Sequence, residues 1–284
     1  MQGLVASDLV KDIEGLVTLP DVFLRISRLI DDPNSSASDI AQVISQDPSF
    51  TIRLLRLANS SLYNFPAEVT TVAHAVSIIG TSQIRSLALS MSVAKSFSGL
   101  PNNLVSMENF WRHSLFCALI ARRLAKQAGA CDPDSAFTAG LLHDIGELVI
   151  FNRLPKQAEA ALLLVLDSQD ELQVHEAEQQ VMGFDHAVVG GELAKQWHLP
   201  TLLEACIRYH HDIAQATEHD KAVALVHIAN VLAMMAEVDD LDLADVSPIE
   251  SVAWEITGLD AASVASVVRE AQAEIKEVEQ LFSE

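Results

Sequence analysis

Apolar residues along this chain recur at helical rather than strand spacing. Val72, Ala75, Val76 and Ile79 fall at i, i+3, i+4 and i+7, with Thr71 placed to cap the start and Gly80 to end the segment. The next segment repeats the pattern through Ile84, Leu87, Ala88 and Met91. Asp47-Pro48 reads as an N-cap followed by proline in the first turn, opening a helix through Ile52, Leu55 and Ala58. Strict alternation is absent, β-branched clusters are short, and alanine and leucine dominate. The pattern predicts an all-α fold.

Two punctuated stretches interrupt the helical series. Gly99-Leu100-Pro101-Asn102-Asn103 follows Phe97, and the acidic run Glu237–Ser247 ends in Pro248. They suggest an N-terminal helical lobe over residues 1–100, a histidine-bearing helical lobe over 101–236 and an acidic helical tail over 237–284.

Composition narrows the function classes. The chain of 284 residues carries 18 Lys+Arg against 39 Asp+Glu, a formal charge of −21. That balance opposes a nucleic-acid partner, which needs cations to replace the counterions along phosphates, and it opposes docking on an anionic membrane surface. Three arginines in the N-terminal lobe, Arg53, Arg56 and Arg85, fit a solvated face or local ion pairs better than a DNA-binding surface. The charge is concentrated late, with 17 acids against 4 bases in residues 201–284. Three cysteines (Cys117, Cys131, Cys206) with no CxxC pair suggest neither a disulfide framework nor a thiolate zinc site. The N-terminus has no basic stretch followed by an apolar one, and no window reaches about 18 uninterrupted apolar residues. A cytoplasmic protein away from the membrane is the expectation.

The ten histidines are distributed unevenly, His74 first and the other nine after position 112. His113 falls early in a helix running to Gly129, His143-Asp144 lies within Gly140–Gly146, His186 opens a helix, and His210-His211 closes another. Spacing from Phe137, Leu141 and Leu148 places Asp144 on the apolar face of its own helix, where a carboxylate is costly unless paired or bound to metal. His186 shares a side with Val189, Leu193 and Trp197, and His227 and Asn230 share one with Val223, Val231 and Met234. Polar groups pointing inward from several helices are the arrangement of helical-bundle metal sites, and imidazole with carboxylate suits Fe, Mn, Zn, Ni or Co. Adjacent residues on a helix diverge by about 100°. Both members of His143-Asp144, or of His210-His211, reach one site only if it lies in the wedge between them; otherwise one member serves a second ion or an outer layer. The competing reading is a cluster of neutral, hydrogen-bonded core histidines. His175, His198 and His219 read as surface or packing residues.

These segments carry a resemblance. His113, then His143-Asp144 in GLLHDIG, then GFDHAVVGGELAKQWHLP, then YHHD resemble the HD superfamily of metal-dependent phosphohydrolases, nearest the HD-GYP-like subgroup and its relative, the HDOD (HD-related output) domain. In the N-terminal lobe, VISQDP with LLRLANS and AVSIIG resemble HDOD specifically, and the likeness spans residues 19–236.

The resemblance implies an HD-domain-like helical bundle in which His113, His143, Asp144, His186, His210 and His211 match metal ligands for one or two ions, Asp144 bridging them and being the residue to bear catalysis. It also exposes departures. Asn230 stands where an acidic ligand is usual, Asn109 where another acid is expected one turn before the first histidine, and Glu147 where a lysine commonly faces the substrate phosphate. An aspartate-to-asparagine change removes one negative ligand charge, and Glu147 would repel an anion. No GYP-like segment follows His211. The expectation is therefore a signalling or output module acting through a protein partner, with a retained but altered metal cleft. The alternative is a phosphohydrolase acting on a phosphate-containing small molecule such as a nucleotide or cyclic dinucleotide.

Overall fold

In the computed structural model, residues 5–11, 21–60, 63, 65–97, 105–168, 172–237 and 249–278 are described. Both punctuating stretches, 99–103 and 238–248, lie outside them. Among the described residues every regular element is helical and there is no strand, as the periodicity predicts. No helix among them is long and apolar enough to cross a membrane.

The helices in chain order begin with α1 (Ala6–Lys11), α2 (Asp21–Asp31), α3 (Ala37–Ile44), α4 (Pro48–Ala58), α5 (Val72–Ile79) and α6 (Thr81–Phe97). After them come α7 (Met107–Ala128), α8 (Pro133–Leu142), α9 (Ile145–Arg153), α10 (Pro155–Asp167) and α11 (Val174–Met182). The last are α12 (His186–Gln196), α13 (Thr201–Tyr209), α14 (Asp220–Glu237), α15 (Ser251–Thr257) and α16 (Ala261–Val278). They form two compact units, one of residues 1–16 and 100–268, the other of residues 17–99 and 269–284.

In the second unit the local signals act as read. Asp47 accepts from the Phe50 amide to cap α4, Thr71 accepts from the His74 amide to cap α5, and Gly80 ends α5 at φ +93°. Asp39 and Ser36 close a reciprocal capping box on α3. Arg85 pairs with Asp31, so one of the three arginines read as surface charge is committed to a local ion pair.

The first unit is organised on α7, against which α8 and α14 pack. Leu115, Leu119, Ile120 and Leu124 of α7 meet a core that includes Phe137, Leu141, Val223 and Ile228, all essentially removed from water. Each such side chain contributes roughly 1.5–3 kcal/mol of burial. A second layer sandwiches α12 between α9 and α13, with α1 laid on α12 and α9.

Two glycines set how closely these layers approach. A Cβ at Gly140 would lie 2.9 Å from the Ala118 Cα, so α8 meets the backbone of α7 directly. A Cβ at Gly146 would lie 1.9 Å from the His186 carbonyl oxygen, so α9 starts against the first turn of α12. Replacement Gly146→Ala is expected to destabilise the protein by about 3 kcal/mol, since backbone must move. Gly129→Ala, at a left-handed cap (φ +61°) with open space around it, should cost only about 1 kcal/mol. Urea denaturation of the two variants, followed by circular dichroism, measures the difference.

Candidate metal centre

The helix predicted to carry Asp144 on its apolar face is not continuous. α8 ends at Leu142, α9 begins at Ile145, and His143 and Asp144 occupy the turn between them. The break removes the 100° divergence that a helix imposes on neighbours. His143 Nε2 and Asp144 Oδ2 come within 2.9 Å of each other. His210 and His211 likewise sit in the turn that ends α13. His186 is the first residue of α12, capped by Asp185, and His113 lies in the second turn of α7.

Five imidazoles thereby converge around one carboxylate, which is 8% exposed. The two carboxylate oxygens divide them. Oδ2 faces His143 and, at 3.6 Å, His113 Nε2; Oδ1 faces His186 Nε2 at 3.3 Å and His210 Nε2 at 3.4 Å. His211 Nε2 closes on His186 Nε2 at 3.0 Å. Ligand atoms of Asp144, His186, His210 and His211 form one group compatible with an ion, and those of His113, His143 and Asp144 form another. All six residues matched by resemblance are thus brought together.

The opposite ring nitrogens show why the Nε2 atoms point inward. His143 Nδ1 donates to the Gly140 carbonyl (2.8 Å), His210 Nδ1 to the Ile207 carbonyl (2.9 Å), and His186 Nδ1 to Glu178 Oε2 (2.7 Å). Such outer hydrogen bonds fix the tautomer and raise the basicity of a metal-ligating imidazole. His143 Nε2, His210 Nε2 and Asp144 Oδ1 are buried with no hydrogen-bond partner, a costly set for a core cluster and a suitable one for a divalent cation. The residues present fit the metal that the resemblance implies.

Asn230 is buried on α14, and its Oδ1 lies 3.0 Å from His113 Nε2, the same nitrogen that faces Asp144. A cation held by that nitrogen would replace the hydrogen bond, and Asn230 would add no charge where an aspartate would. Asn109 is exposed and belongs to neither ligand group, although it lines the cleft above the cluster. His227 shares the inward face of α14 but serves a different end. Its Nδ1 donates to the His210 carbonyl (2.8 Å) while its Nε2 accepts from the Glu250 amide (3.2 Å), clasping the start of α15 to the end of α13.

Two participants escape the sequence reading. Glu178 on α11 is 2% exposed and accepts from both the amide and the ring of His186. A signal was present: Glu178 stands four residues from both Val174 and Met182, an acid on an apolar stripe, as with Asp144. His175, read as a surface or packing residue, packs by stacking on His211 with ring centroids 4.0 Å apart, and it lines the cleft. His198 is exposed, and His219 contacts Thr201 away from the cluster.

Local electrostatics follow from this crowding. Burial, then Asp144 and Glu178, push the Glu147 carboxyl up to about 8. Burial pulls His210 down to about 4 and lowers His211, which keeps their lone pairs free. On His143 and His186 burial acts in the same sense, but Asp144 on the first and Glu178 on the second outweigh it and draw protons onto the rings.

Residues 16–213 match the HDOD domain. The chain belongs to the HDOD family. Among solved structures it is similar to an HDOD domain protein of unknown function from Geobacter sulfurreducens, at 27% identity and TM-score 0.76 over 98% of this chain and 97% of that one. It is also similar to a candidate phosphohydrolase from Shewanella amazonensis SB2B, at 25% identity and TM-score 0.78 over 97% of this chain and 98% of that one. A curated relative, an uncharacterized protein of Treponema pallidum (strain Nichols), is 27% identical over 230 residues, which cover 80% of this chain. The match spans only 44% of that longer relative.

A divalent cation must compete with protons for the lone pairs of His143 and His186. Cation binding is therefore expected to release protons, and affinity should fall as pH drops below the raised pKa values of those two rings, by about tenfold per pH unit for each proton displaced. Calorimetric titration with Mn(II) or Co(II) in buffers of different ionisation enthalpy counts those protons.

Proposed function

We propose that this HDOD protein is a cytoplasmic signalling or output module acting through contact with a partner protein, and that its cleft holds one or two transition-metal ions as a structural or regulatory element. The observation that carries this reading is the lack of lysine and arginine in the described wall of the cleft. The cleft, about 230 Å³, is lined by apolar Phe110, Val174 and Met234 and by Glu147 and Asn230, with no lysine or arginine among the described lining residues. A phosphoryl substrate would find no lysine or arginine to neutralise its non-bridging oxygens, and would meet the mostly protonated Glu147 carboxyl where a lysine is usual.

His113, His143, Asp144, His186, His210 and His211 would hold the ions. Bound there, a divalent metal supplies Lewis acidity and lowers the pKa of its water. The chain's own contribution favours holding over turnover: Gly140, Ile207 and Glu178 fix three rings from behind, and Asn230 adds no charge beside His113. The free cysteines, Cys117 and Cys206 buried and Cys131 half-buried, accord with a reducing compartment.

The phosphohydrolase alternative draws on one observation, the convergence of all six matched residues. Metal analysis of the purified protein, followed by assays on bis-p-nitrophenyl phosphate and cyclic dinucleotides with added Mn(II) or Fe(II), separates the two. The expected result is bound metal, lost on Asp144→Ala, with no turnover. Robust turnover that Asp144→Ala abolishes would overturn the regulatory reading. Folded wild-type protein that takes up no metal would remove the cofactor from both.

A further inference from the structure

His211 differs from the other histidines of its ligand group in how it is held. His186 and His210 each commit Nδ1 to a fixed oxygen, Glu178 Oε2 or the Ile207 carbonyl. Among the described residues no hydrogen bond anchors the Nδ1 of His211; its one hydrogen-bond contact is Nε2 to His186. Its ring is also flanked by space on two sides. It lines the cleft above the cluster, and it lines a second, polar cavity of about 510 Å³ walled by Asp185, Arg208, Tyr209 and Asp212. A half-buried ring between two cavities turns away from a metal unless something holds it.

His175 is that restraint. It lines the same two cavities and lies nearly parallel to His211, at 12° and 4.0 Å between ring centroids. It belongs to neither group of ligand atoms around Asp144, so its ring is a support and not a ligand. It stands on α11 three residues before Glu178, a spacing that puts both side chains on one face of the helix. Through that face α11 steadies two neighbouring rings, His186 by a carboxylate and His211 by a stacked imidazole.

We propose that His175 is a positioning residue of the metal centre, holding His211 in its ligating orientation by ring stacking and closing the wall between the cleft and the polar cavity. The inference rests on the metal-holding reading of the cleft, and its test separates the two. Co(II) is titrated into the metal-free full chain for wild type, His175→Ala, His175→Leu and His175→Phe, with visible d–d absorption as readout and far-UV circular dichroism as the check on folding.

Outer-layer partners of metal ligands are worth about 10–100-fold in affinity. The alanine and leucine variants should bind Co(II) at least about tenfold more weakly, with a shifted d–d band, and the phenylalanine variant should restore both. Wild-type affinity and spectrum in the alanine and leucine variants would overturn the proposal while leaving the metal reading intact. A phenylalanine variant as weak as alanine would overturn stacking as the means of support. Wild type that binds no Co(II) would overturn the metal reading and this proposal together.

Discussion

A carboxylate in the core must be compensated, and Asp144 is that carboxylate. It is almost out of reach of water, and an isolated charge there would cost far more than a small domain can spare. The compensation comes from five histidines delivered by four regions of chain: α7, the α8–α9 turn, the start of α12 and the end of α13. Each of those regions is fixed by something other than the cluster. The α7 ring rides a helix that is buried on every side from Ser114 to Arg122, the α8–α9 turn is fixed by Gly140 against Ala118, and α13 packs on α12. The apolar packing of the unit is thus what makes a dense polar centre affordable.

Around that centre the described wall carries no lysine or arginine. The carboxylate itself has imidazoles facing both of its oxygens. The wall above it carries Glu147 and Asn230. Under the proposed regulatory reading, such a centre would hold a cation without drawing in a phosphate, and so would stabilise or report a conformation.

Much of this was legible in the sequence, for reasons specific to each residue. The all-α reading held because the apolar spacing of α4, α5 and α6 is strong and the caps of the first two are explicit: Asp47-Pro48, and Thr71 with Gly80. The six matched positions were found through short motifs, and the structure brings all six together. Spacing could not reveal the break between α8 and α9, because Phe137, Leu141 and Leu148 keep a helical rhythm across it. It also could not assign His175, whose partner lies 36 positions away on another element; ring stacking leaves no periodic trace. Glu178 could have been found by the same rule that singled out Asp144, but the many polar residues of α11 disguised its buried stripe.

The hydrogen atom at Gly146 has a wider consequence. With the start of α9 seated on the His186 carbonyl, Asp144 and His186 share one frame: neither can shift without carrying the other along. The backbone positions of Asp144 and His186 are therefore set together, and any change that displaces the start of α9 displaces both sides of the Asp144 Oδ1–His186 Nε2 approach at once.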